Sequence, residues 1–215
     1  MADEVTRPTL TGLSLGDPAE RWEALGFSVV DGVIELAGLR LILDGAEAGI
    51  SRWWLAGIDS ADEIDGLPTT VDAVPRSEPV AVATAHPNGA LELDHVVITT
   101  PSFDRTTAAL EAQGMPLRRI REVGDVAGGT GFRQGFRRLG PGILELVEAK
   151  QMPDGPARFW GLVVVLRDLG WLASQLDETW LGERKAAVQP GREIVTLRSA
   201  AGLGQPVAFM TPDPA

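Results

Sequence analysis

One plan occurs three times along the chain, and nothing else in the sequence restricts the fold as strongly. It covers residues 9–45 (TLTGLSLGDPAERWEALGFSVV and onward), 91–150 (LELDHVVITTPSFDRTTAALEAQG and onward) and 159–212 (FWGLVVVLRDLGWLASQL and onward). Each copy opens with a short apolar strand and a polar turn. A helix with apolar residues at helical spacing follows, then three short strands. Gly26, Gly114 and Gly182 are read as the helix stops, since a left-handed C-terminal position favours glycine. In the second copy Ser102 or Asp104 is the expected N-cap. The repeated β-α-β-β-β plan predicts an α+β fold. Residues 1–58 form a degenerate first module, 59–90 a strand and linker segment, and 91–215 two paired modules (91–150 and 159–212). "SRWWLAGI" is a candidate opening strand of a fourth, truncated unit, and Asn88-Gly89 is a turn signal.

Composition removes several function classes. With 44% apolar residues the 215-residue chain has material for a sizeable core, yet its apolar runs are too short to span a bilayer. No secretion signal is read in "MADEVTRPTL", which leaves a cytoplasmic location as the default. The absence of cysteine excludes disulfides, thiolate metal sites and thiol nucleophiles. A net charge of −11 argues against nucleic-acid binding. No Gly-x-Ser-x-Gly elbow, zinc-protease, Rossmann or P-loop motif occurs.

Chemistry concentrates in the second copy. Strict alternation along "LDHVVI" puts Leu93, His95 and Val97 on one face, with Asp94, Val96 and Ile98 on the other. In "ILELVE" Glu145 shares a face with Ile143 and Val147. A buried carboxylate needs a partner, and His95, an arginine or a metal would each serve. The competing reading of His95 is a packed, hydrogen-bonded strand residue. "FRQGFRRL" alternates Phe132, Gln134, Phe136 and Arg138 with Arg133, Gly135, Arg137 and Leu139. Arg133 or Arg137 on the concave face would clamp an anionic substrate. Trp160, at the start of the third copy, and Arg192, in "QPGREIVTLR", are further candidate pocket residues. His86, in "AHPNG", is a third candidate metal ligand; its other reading is a loop histidine.

"LDHVVITTPSFDRTTAALEAQG" and "GILELVEAK" resemble the opening strand and helix, and the fourth strand, of the vicinal oxygen chelate superfamily. That superfamily includes glyoxalase I, extradiol dioxygenases, methylmalonyl-CoA epimerase and bleomycin-resistance proteins. The resemblance covers Leu91 to Pro212 as two paired modules. It implies curved mixed β-sheets around a central cavity, with helices outside, and a homodimer or a pseudo-dimeric monomer. It also implies a divalent metal (Fe, Mn, Co, Ni or Zn) held by His95 and Glu145. The third copy departs from the pattern, with Gly161 and Ala208 at the matching positions, and the first has Gly12 and Leu41. The implied activity is that of a glyoxalase-like lyase, isomerase or dioxygenase on a small molecule with vicinal oxygens. The alternative is a metal-free small-molecule or antibiotic-binding protein.

Overall fold

The computed structural model describes residues 7–72, 85–126 and 128–214. Six strands form the first sheet: β1 (Thr9–Leu15), β2 (Val33–Leu36), β3 (Leu39–Leu43), β4 (Ile50–Ala56), β5 (Glu63–Ile64) and β6 (Leu67–Asp72). Eight form the second: β7 (Ala90–Thr100), β8 (Arg119–Val123), β9 (Phe132–Leu139), β10 (Gly142–Glu148), β11 (Arg158–Leu166), β12 (Lys185–Ala186), β13 (Glu193–Thr196) and β14 (Val207–Met210). The helices are α1 (Ala19–Ala24), α2 (Phe103–Ala112) and α3 (Gly170–Gln175).

The two sheets have the same topology. Their strand orders are β2-β3-β1-β4-β6-β5 and β12-β13-β14-β11-β7-β10-β9-β8. At the centre of each, two opening strands run antiparallel, β1 with β4 and β7 with β11. Each opening strand has a parallel partner on its other side: β3, β6, β10 and β14 respectively. The first sheet is therefore a double module trimmed by one strand at each edge, and the strand at "SRWWLAGI" does open a fourth unit. The expected strand and linker segment, residues 59–90, holds two short strands. Its "EI" and "LPTTVD" form β5 and β6, with Pro68 at the start of β6, before the ladder with β4 begins at Thr69. Residues 73–84 of that segment lie outside the described residues.

A β-bulge interrupts the same place in all four opening strands. The ladder pairs Leu93 with Val164 and His95 with Val163, leaving Asp94 as the extra residue. Trp160, Thr11 and Ser51 are the extra residues of β11, β1 and β4. Counting onward from the bulge places Gly12, Arg52, His95 and Gly161 in one equivalent position. Parallel register places Ile42, Thr70, Glu145 and Ala208 in the other. Ile42, not Leu41, thus matches Glu145; Leu41 is fully buried in the core. The bulge also overturns strict alternation. Leu93 joins Val96, Ile98 and Thr100 on the core face, all at 1% exposure or less, while Asp94 reaches His95.

One apolar core joins both sheets. Trp53 packs edge-on against Phe159 at 5.6 Å, and Phe27 lies 6.1 Å from Phe209. Buried Asp17 ties α1 to the approach to β14, accepting from Trp22 Nε1, Gly204 N and Gln205 Nε2. Asn88 donates to the Leu25 carbonyl and accepts from Ala90 N, so the Asn-Gly turn is a buried plug. Helix α2 carries Phe103 and Leu110 inward against the back of the second sheet. There Gly135 leaves room: a Cβ would stand 2.4 Å from Leu117 and 3.1 Å from Phe103. Gly26 and Gly114 follow their helices at φ 80° and 73°. The third helix stops earlier than expected, at Gln175, and Gly182 lies beyond a separate turn at Glu178–Trp180. Ser102 is the N-cap of α2 by position, without a side-chain cap bond.

Candidate functional site

The second sheet closes around a cavity of about 460 Å³. Side chains from β9 and from β13 border it, although four strands separate them in the sheet. Five inter-strand steps would place them about 24 Å apart in a flat sheet, so strong curvature creates the hollow. Most of the lining is apolar. Val97, Val147, Leu162, Val163, Ile194 and Ala208 form much of it, with Phe132 and half-exposed Trp160 as aromatic borders.

Four strands build a polar band on this concave face. Glu145 on β10 and His95 on β7 meet with Oε2 3.3 Å from Nε2. Gln134 on β9 donates its amide to Glu145 Oε1 at 2.7 Å and accepts from Arg121 Nε of β8 at 2.5 Å. On the other side of the imidazole, Asp94 Oδ2 is 2.7 Å from His95 Nδ1, and Asp94 Oδ1 accepts from Arg192 at 2.6 Å. A carboxylate there fixes the Nδ1–H tautomer. Nε2 then faces Glu145 with a lone pair, and two acceptors 3.3 Å apart need a proton between them. Burial raises the Glu145 pKa, with Asp94 adding repulsion against the pull of His95 and Arg121. Asp94 behaves oppositely. Burial alone would raise it, but the bonds and charges of His95 and Arg192 outweigh burial and hold it below the usual carboxylate range.

The arginines expected to clamp a substrate are elsewhere. Arg133 and Arg137 share the Gly135 face of β9, toward α2. Arg133 pairs with Glu148 at 2.8 Å and Asp104 at 2.7 Å and stacks on Phe103. Arg137 donates to the Pro116 carbonyl. Alternation required one set of β9 residues to face the hollow, and that set contains Phe132 and Gln134. Arg192 is buried and does not border the cavity; it holds Asp94 and the Thr211 carbonyl. Trp160 does border it, as the bulged residue of β11.

His86 lies against the first sheet instead of the cavity. Ser28 N donates to its Nδ1 at 3.0 Å, so its proton sits on Nε2, which meets the Glu35 carbonyl at 2.9 Å. Burial lowers its pKa against the opposing pull of that carbonyl. These bonds occupy both nitrogens and take His86 out of any metal site.

A resident divalent metal needs three or more donors. His95 and Glu145 supply two. Arg121 takes the Gln134 carbonyl, so that side chain turns its NH₂ toward Glu145. Gly161 and Ala208 supply nothing. Among the described residues no group of three His, Asp or Glu side chains is arranged to hold a metal ion. The donor set does not fit a resident metal.

No family model matches the chain, and no curated relative is found by sequence. Among solved structures, a variant of 4-hydroxymandelate synthase from Streptomyces coelicolor is similar over 96% of this chain and 93% of its own, with TM-score 0.59 and 13% identity. Methylmalonyl-CoA epimerase from Mycobacterium tuberculosis is similar over 63% of this chain and 95% of its own, with TM-score 0.44 and 18% identity. At these identities the likeness is one of fold: the chain shares the fold of the synthase, in keeping with the resemblance read from its sequence.

Proposed function

We propose that this protein is a small-molecule enzyme of the isomerase or lyase type that moves a proton beside a carbonyl, with Glu145 and His95 as its acid–base pair. The carrying observation is the 3.3 Å contact between Nε2 and Oε2 on a cavity wall, with the imidazole held from behind by Asp94. An orienting carboxylate, an imidazole and a second titrating group in line are the parts that general acid–base catalysis requires.

The substrate class is a ketone with a neighbouring hydroxyl. Ionised Glu145 removes a proton from the carbon bearing that hydroxyl. The C–H electron pair becomes the new C=C bond, and the carbonyl oxygen takes the Nε2 proton of His95. An enediol results. Return of a proton from Glu145 to the former carbonyl carbon, and loss of the other hydroxyl proton to His95, completes an isomerisation with every proton accounted for. Asp94 and Arg192 position the imidazole. Gln134 holds the carboxylate of Glu145 toward it. No step is routed through a metal, since the residues present do not complete a ligand set.

Solvent deuterium exchange into phenacyl alcohol, an uncharged aromatic α-hydroxy ketone, tests this by NMR. Protein-dependent exchange is expected to survive chelator treatment and to collapse in Glu145→Gln. Exchange no faster than in buffer sinks the acid–base reading. A second reading, a metal-free binding protein, is favoured by the bare wall at Gly161 and Ala208. It is the outcome if phenacyl alcohol binds without exchange.

A further inference from the structure

We infer that the cavity takes an uncharged ligand with a flat apolar body and a single oxygen-bearing head, the head set against His95 and Glu145. This rests on that pair being the polar end of the site. Among the described residues lining the cavity, His95 and Glu145 alone are titratable. The nearby arginines stand off the lining: Arg133 pairs with Glu148 and Asp104, Arg192 pairs with Asp94, and Arg121 donates through Nε to the Gln134 amide oxygen.

An anionic ligand would bring a charge into an apolar hollow with no arginine or lysine among its described lining residues, and would face Glu145 directly. Burying an unpaired charge costs several kcal/mol. A cationic ligand would have to displace His95 and Gln134 from the Glu145 carboxylate, and no second carboxylate borders the cavity. An uncharged carbonyl or hydroxyl exchanges hydrogen bonds with the pair at little cost. Apart from Gln134 and the uncharged hydroxyls of Thr99 and Thr196, the remaining walls are apolar, and Trp160 and Phe132 offer ring faces and edges to a planar body. The volume falls within the range of small-molecule sites.

Three naphthyl isosteres separate the charge states at pH 7: a naphthol, the matching naphthoate and the matching naphthylmethylammonium. Binding is read by calorimetry on the full chain. The naphthol is expected to bind at least about 10-fold tighter than either ion, a gap of about 1.4 kcal/mol. Ala208→Arg places a cation on the bare wall and is expected to shift the preference to naphthoate. Either ion binding as tightly as the naphthol to the wild type overturns the inference. A folded Ala208→Arg protein with no gain for naphthoate also overturns it. If that variant does not fold, the wild-type ranking decides alone. Failure here is distinguishable from failure of the acid–base reading. A naphthol preference without exchange on phenacyl alcohol removes the catalysis and keeps the ligand class; exchange with tighter ion binding does the reverse.

Discussion

In the first sheet Trp54 stands where Val97 stands in the second, each three residues past the bulged residue, Ser51 or Asp94. The indole donates to Ser14 Oγ at 3.0 Å and lies under the Arg40 guanidinium, which in turn pairs with Asp72. Thr11, the extra residue equivalent to Asp94, bonds the same Asp72. On the corresponding face of the first sheet these side chains pack and bond against one another. The second sheet, on the same ladder, leaves about 460 Å³ open and lines it with a buried acid and an imidazole. Strand pairing and bulges preserve the frame in both halves. A few positions on that face decide whether the frame is a solid support or an open vessel.

The largest expected effect tests the vessel. Glu145→Gln should lower exchange on phenacyl alcohol by about 10²- to 10⁴-fold, whereas Thr70→Val at the equivalent position of the first sheet should leave the rate within twofold. Equal losses at both positions would erase the contrast. Next comes the support. Trp53 is fully buried, and its indole bonds Thr69 Oγ1. Trp53→Ala should cost about 3–5 kcal/mol in denaturant unfolding. Asp94→Asn should slow exchange by about 10- to 100-fold and displace its pH profile, with folding intact; an unmoved profile would demote Asp94 to a structural contact.

Arg133→Ala should cost about 1–3 kcal/mol of stability while exchange stays within twofold, since its guanidinium serves Glu148 and Asp104 behind the sheet. The smallest effect is one of pH. The raised pKa of Glu145 means that, as pH climbs above about 4.3, the unfolded chain ionises before the folded one. Folding stability therefore falls through that window and levels off once Glu145 ionises in the folded protein too. Glu145→Gln lacks this loss. It should be more stable than the wild type at neutral pH and lose that advantage near pH 4 in thermal melts. Asp94 works the other way: its depressed pKa gives stability that is present above the ordinary carboxylate value and lost as pH falls through the folded one.

Much of this frame was legible in the sequence, because repeated apolar strands and helix-stopping glycines carry it. The superfamily resemblance picked out His95 and Glu145, and the register aligns Gly161 and Ala208 with them. What stayed hidden has identifiable causes. A bulge adds one residue to a strand without changing composition, so alternation alone puts Leu93 on the wrong face and gives no sign that Asp94 reaches His95. Alternation divides β9 into two sets but does not say which faces inward. Gly135, which admits Phe103 and Leu117 so closely, was the clue that the arginines point outward. His86 offered no signal of its burial, which depends on contacts with Ser28 and Glu35 from distant segments.

Both walls of the hollow belong to one continuous hydrogen-bonded ribbon, from β13 to β9. Such a container has no hinge. Opening it like a jaw would break ladder bonds between central strands, so half-exposed Trp160, on the border of the cavity, is a side chain placed to change access without disturbing the ladder. Shortening the side chain at position 160 should therefore change the rate at which a ligand binds more than it changes the stability of the sheet.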